Sequence, residues 1–206
     1  ESLIDRLDLK TIHFSAWGLR EGMLFEALDS QEVAQEPLVA GSSALGLRQG
    51  ISPTLPGALL GWLNAVITEL PSVFGSRRDR LLAEAACQLS DLGARLHPDH
   101  RLELVFDQVL RAPVPGQTHA ERAFLACVLN ARYGGGATTP SPNAVSRLLD
   151  ENGRQVARAL GQAIRLACDL SGRSPQLLAN AALTIESGTL RLTASPGYAD
   201  VLLGEQ

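Results

Sequence analysis

A chain of 206 residues, 45% hydrophobic and only 4% aromatic, can bury roughly 70% of its unfolded surface, enough for one sizeable core plus an accessory piece. Ala, Leu and Gly dominate, which favours packed helices over a large sheet, and the formal charge of −4 excludes a general nucleic-acid binder while leaving local basic patches open. No run approaches the ~18 apolar residues of a membrane span. The N-terminus lacks a charged-then-apolar signal pattern, so a cytoplasmic protein with no membrane partner is expected. Cys87, Cys127 and Cys168 are widely spaced and form no Cys-x-x-Cys, so they read as buried small apolar residues rather than a disulfide framework or zinc site.

In chain order, Thr11-Ile12-His13-Phe14-Ser15-Ala16 alternates like a half-buried strand, and residues 18–28 then read as a turn into a helix. One strand and one helix cannot make a domain, so the start reads as a piece of a larger unit. His13 falls on the polar face of that strand, exposed and without a role. From Pro37 onward, helices follow one another. Ser76-Arg77-Arg78-Asp79 reads as a capping-box-like start, the Ser76 hydroxyl accepting a backbone N–H and Asp79 complementing the helix dipole. Leu81, Leu82, Ala85, Ala86, Leu89 and Leu92 form its core face.

Pro98 suits a first helical position after His97, and Leu102, Val105, Phe106, Val109 and Leu110 continue the buried stripe. The loop 112–116 ends that helix. Thr118-His119-Ala120-Glu121 is the best capping box in the chain and opens a helix with Phe124, Leu125, Val128 and Ala131 inward. Gly134-Gly135-Gly136 breaks it, and 134–141 is expected to be a mobile loop. Helices follow at 142–149 and 153–170. The period then changes to two: 182–186 and 189–193 alternate around Ser187-Gly188, a hairpin signal. Its register pairs Ile185 with Leu190 and Leu183 with Leu192 on one face, Thr184 and Arg191 outside, the apolar face covering the helical core.

Two constellations carry candidate chemistry. His97, His100 and Arg101 lie at the first turn of one helix, and His119 and Arg122 at the first turn of another. Free N–H groups and the dipole favour an anion there, and arginine engages phosphate oxygens bidentately. In the alternative, His97 and His119 are caps, and Arg101 and Arg122 are solvated or paired with Asp99 and Glu121. Arg77, Arg78 and Arg80 read as a solvated helix start. The second constellation is Leu89-Ser90-Asp91-Leu92-Gly93, which resembles the Leu-His-Asp-Leu-Gly of helical metal-dependent phosphohydrolases of the HD class. Such a site needs imidazole and carboxylate ligands that hold a divalent metal and acidify a water. Ser90 is a poor ligand and no helical histidine precedes it, so Ser90 and Asp91 mark a degenerate position, Asp91 capping or pairing with an arginine.

Taken together, several motifs in order resemble the C-terminal half of the Ppx/GppA phosphatase family. They are Gly18-Leu19-Arg20-Glu21-Gly22, Glu36-Pro37-Leu38, residues 89–93, His97-Pro98-Asp99-His100-Arg101, residues 119–126, and Arg132-Tyr133-Gly134-Gly135. The resemblance implies a mainly α fold. It would comprise a remnant strand and helix of an actin-like domain at 1–30, then an HD-like helical bundle at 36–206 with its small hairpin at 182–193. It also implies a parent hydrolase, an exopolyphosphatase or pppGpp phosphohydrolase, that cleaves terminal phosphoanhydrides of polyphosphate or pppGpp (guanosine pentaphosphate). Magnesium and the catalytic groups would lie in the missing N-terminal actin-like domains. No catalytic residue, metal ligand or cofactor transfers to this chain, which alone would be inactive. Arg20 and Glu21 would form a structural ion pair or cap. The domain would assist substrate binding and dimerisation. The alternatives are a non-catalytic interaction or regulatory module with a degenerate HD site, and an independent HD-class metal phosphohydrolase.

Overall fold

The computed structural model describes residues 3–12, 15, 17–50 and 52–203. By its internal contacts the chain divides into two units, Glu1–Gln35 and Glu36–Gln206.

The first unit holds short helices α1 (Leu3–Leu7), α2 (Leu19–Glu26) and α3 (Ser30–Val33). The Glu21 carboxylate accepts the Gly18 N–H at 2.8 Å and pairs with Arg20 at 2.7 Å, so this motif does cap a helix and form an ion pair. The ion pair and the hydrogen bond hold the Glu21 carboxyl below its ordinary pKa. Leu19, Met23, Leu24 and Phe25 of α2 are all exposed, and no residue of α2 is buried. The strand expected at 11–16 falls partly on residues outside those described, among them His13. Its described residues Thr11, Ile12 and Ser15 belong to no regular element.

Among its described residues, the regular elements of the second unit are helices and one hairpin. Its elements are α4 (Pro37–Arg48), α5 (Leu55–Trp62), α6 (Asn64–Glu69), α7 (Ser76–Leu89), α8 (Pro98–Arg111), α9 (His119–Arg132), α10 (Pro142–Leu148), α11 (Glu151–Ser171), α12 (Pro175–Leu178), β1 (Ala181–Glu186), β2 (Thr189–Ala194) and α13 (Ala199–Leu203). Capping explains many of these boundaries. Glu36, Thr118, Asp150 and Ser174 each accept a backbone N–H at a helix start, and Gly172 ends α11 in the left-handed region.

Ser76 does not cap α7. It is the first helical residue, and Asp79 instead reaches back to accept from the Ser72 hydroxyl (2.6 Å) and the N–H groups of Val73 (3.1 Å) and Phe74 (2.9 Å). A carboxylate one turn into the helix thus fixes the loop before it.

At the centre lies α9, packed against α8, α11 and α7, while α7 also packs on α4 and α5. Every residue from Ala123 to Arg132 is buried. The one-sided stripe expected there is too narrow, because helices close around α9 from several directions. Each leucine buried in this core contributes about 1.5–3 kcal/mol of transfer free energy. The three cysteines are free and buried, and burial raises all their pKa values, that of Cys127 to about 12.

The hairpin has the expected register: Leu183 opposite Leu192, Thr184 opposite Arg191, Ile185 opposite Leu190. Ser187 and Gly188 both have positive φ, as a two-residue turn of matching twist requires. Its apolar face covers the core only in part. β1 packs against α6 and α12, with Ala181 and Leu183 buried and the Trp62 indole N–H donating to the Ala181 carbonyl at 3.0 Å. β2 lies at the outer edge, its residues exposed.

Candidate anion-binding site

The five residues singled out by their helix starts divide between two places. His97, His100 and Arg101 begin α8, while His119 and Arg122 begin α9. Arg101 sits beside Tyr133, which follows the far end of α9; the 14-residue length of α9 puts about 20 Å between its two ends. His97 acts as a cap, its Nδ1 accepting the Asp99 N–H at 3.3 Å, and it is exposed, as are His100 and His119. At the start of α9 the cap is Thr118 rather than His119.

Around Arg122 the pairing also differs from expectation. Glu121 turns to Arg78 of α7, 43 positions earlier. The Arg78 guanidinium donates to both Glu121 carboxylate oxygens (2.5 and 3.2 Å), to Glu36 (3.2 Å) and to the Gly116 carbonyl. Arg78 is therefore a partly buried tie between α4, α7 and α9, not a solvated side chain. Burial alone would raise the Glu121 pKa, but the hydrogen bonds from Arg78 and the Thr118 N–H hold it below the ordinary carboxylate value.

The chemistry gathers instead where α7 ends, α8 begins and α9 and α11 end. Gly93 is buried, and a Cβ on it would lie 2.7 Å from the Arg101 side chain and 2.8 Å from the Tyr133 ring. Only glycine allows this approach. The Tyr133 hydroxyl accepts the Gly93 N–H (2.8 Å) and donates to the Ser90 carbonyl (2.9 Å). Burial pushes the Tyr133 phenol up to about 12. Arg132 lies against the Tyr133 ring at 4.8 Å from its centroid and Arg101 at 5.7 Å.

Arg101, Arg132 and Tyr133 line a cleft of about 330 Å³ together with Ala94, Cys168, Asp169, Gly172 and Arg173. Arg132 is the most unusual group. Its side chain is 8% exposed, its Nε has no hydrogen-bond partner, and its Nη2 lies 4.0 Å from Asp91. Arg173 lies 3.5 Å from the same Asp91 oxygen. Its φ is +66°, a left-handed conformation that costs a non-glycine residue roughly 1–2 kcal/mol, so the turn after α11 holds backbone strain next to the cleft.

Ser90 is fully buried with its hydroxyl unpartnered. Beside Asp91, where an HD-class site would hold a divalent metal, stand two guanidiniums that would repel one. The residues present do not fit a metal, and among the described residues no three His, Cys, Asp or Glu side chains converge. A buried arginine with an unpartnered Nε suits an anion instead. Arg132 and Tyr133 were visible in sequence as part of a family-like motif without a role. No sequence signal identified Arg173.

No described helix is long and apolar enough to cross a membrane. Residues 38–206 match the family model described as exopolyphosphatase, C-terminal. The chain is also similar to Retrograde regulation protein 2 of Saccharomyces cerevisiae, at 29% identity over 133 residues, 62% of this chain and 21% of that protein. It spans about a fifth of the length of this curated relative. With most of its length matched by that model, the chain belongs to the exopolyphosphatase C-terminal family, within the Ppx/GppA group.

Proposed function

We propose that this chain is the accessory helical region of a Ppx/GppA-type phosphatase and that the Arg101–Arg132–Arg173 cleft holds part of an extended phosphate chain. The observation that carries this reading is Arg132, a buried guanidinium with an unpartnered Nε, lining a cleft with two further arginines. Phosphoanhydride cleavage, with magnesium, would belong to actin-like domains upstream of this chain, of which residues 1–30 would be the end. The exposed apolar side chains of α2 would pack against those domains. The whole protein would act as a cytoplasmic homodimer.

The cleft chemistry favours polyphosphate over pppGpp as its ligand. A guanine base stacks best on an open aromatic face, and Tyr133, the one aromatic among the described residues lining the cleft, already has Arg101 and Arg132 against its ring and both hydroxyl roles filled. Binding of medium-chain polyphosphate to the purified 206-residue chain, at low and moderate salt, tests this. Salt-sensitive binding weakened by Arg101→Ala with Arg173→Ala is the expected result. Equal loss from Arg101→Ala with Arg122→Ala as from Arg101→Ala alone would confine the site to the cleft.

A second reading, a regulatory module without phosphate ligand, draws support from the name of the yeast relative. Absence of binding at low salt would favour it.

A further inference from the structure

We infer that Asp91 is an internal competitor for the cleft arginines, and that its charge sets how weakly the site binds phosphate. The inference rests on the phosphate site proposed above. Asp91 does not line the cleft, yet one of its carboxylate oxygens faces two cleft arginines, Arg173 at 3.5 Å and Arg132 at 4.0 Å. That oxygen is buried and makes no hydrogen bond.

These distances separate two roles. A carboxylate that orients a guanidinium does so through short, paired hydrogen bonds, typically 2.7–2.9 Å. Asp91 holds neither arginine that way. It offsets their charge without fixing their direction, so the donor atoms of Arg132 and Arg173 stay available to oxygens arriving from the cleft. Partial burial makes the offset effective, since only 14% of the Asp91 side chain is exposed and solvent screens it poorly. Asp169, which lines the cleft, pairs with Arg165 at 3.3 Å on the neighbouring turn of α11, while Asp91 stands within 4.0 Å of both Arg132 and Arg173.

An incoming phosphate therefore meets two guanidiniums whose charge Asp91 already offsets in part. Without the carboxylate the free cleft would carry a larger uncompensated charge and bind anions more tightly. The carboxylate thus trades affinity for a tolerable unliganded state, which suits a segment that must release a phosphate chain as it is shortened.

Calorimetric titration of the 206-residue chain and its Asp91→Asn variant with inorganic tripolyphosphate, at matched ionic strength, tests this. Asn keeps the shape and removes the charge. The expected result is a Kd lower by at least about tenfold in the variant, equivalent to roughly 1.4 kcal/mol. Unchanged or weaker binding by Asp91→Asn makes Asp91 a positioning or purely structural residue and overturns the inference while leaving the phosphate site standing. No binding by either protein overturns the site itself. Should Asp91→Asn fail to fold, Asp91→Glu is the companion variant. Its longer side chain brings the carboxylate onto the arginines, so weaker binding than the unaltered chain is expected, and equal or tighter binding would sink the competitor role.

Discussion

Gly161 of α11 lies so close to Val128 of α9 that a Cβ at Gly161 would stand 2.2 Å from the Val128 carbonyl oxygen. The same methyl would meet the Ala131 Cβ at 2.7 Å. Backbone-to-backbone packing at this point seats the longest helix on the central one, and through it sets Cys168, Asp169 and Arg173 opposite Arg132. Gly161→Ala is therefore expected to destabilise the protein by about 2–3 kcal/mol through overpacking, although alanine is the better helix former. Urea unfolding of the two proteins measures it. A stabilised Gly161→Ala protein would mean that the helices separate freely there.

Arg78 ties three helices through Glu121, Glu36 and the Gly116 carbonyl. Arg78→Ala leaves two carboxylates without their cation, one of them 7% exposed, and should cost about 3 kcal/mol. Thermal unfolding of this variant and the unaltered chain at neutral pH gives the difference.

The same group predicts acid sensitivity. The Glu121 pKa is depressed in the folded state, so its contribution is fully present above the unfolded value of about 4.3 and is lost as pH falls through the depressed folded value. The melting temperature should fall more steeply below pH ~4.3 in the unaltered chain than in Arg78→Ala, where Glu121 has lost the cation that lowers its pKa. Parallel pH profiles would remove Glu121 from the acid response.

Tyr133 joins α9 to the end of α7 through two hydrogen bonds at one oxygen. Tyr133→Phe leaves the Gly93 N–H and the Ser90 carbonyl without that partner and should cost about 1–3 kcal/mol. Amide hydrogen exchange reports it locally, with Gly93 losing protection ahead of amides in the middle of α9.

Arg173 separates stability from binding. Arg173→Gly relieves a left-handed residue, worth roughly 1 kcal/mol, but removes a partner of Asp91, so net stability should change by less than about 1 kcal/mol. Tripolyphosphate affinity should fall about tenfold. A variant that keeps full affinity would place the anion elsewhere.

Sequence alone determined the helical class, many helix boundaries and the hairpin register, because those features depend on residues within a few positions of each other. Thr118 and Glu121 cap one helix from three residues apart, and Ser187-Gly188 sets which leucines face each other across the hairpin. Family-like motifs reached further and included Asp91, Arg101 and Tyr133, without placing them in one site. Tertiary structure decided the rest. Glu121 could have served its neighbour Arg122 but meets Arg78, and Arg132 joins Arg173, 41 positions away, only because α9 and α11 end side by side. Helix starts looked like the site because their exposed N–H groups are legible locally, whereas a cleft between helix ends arises from packing angles and close contacts, such as that at Gly161, that no local pattern encodes.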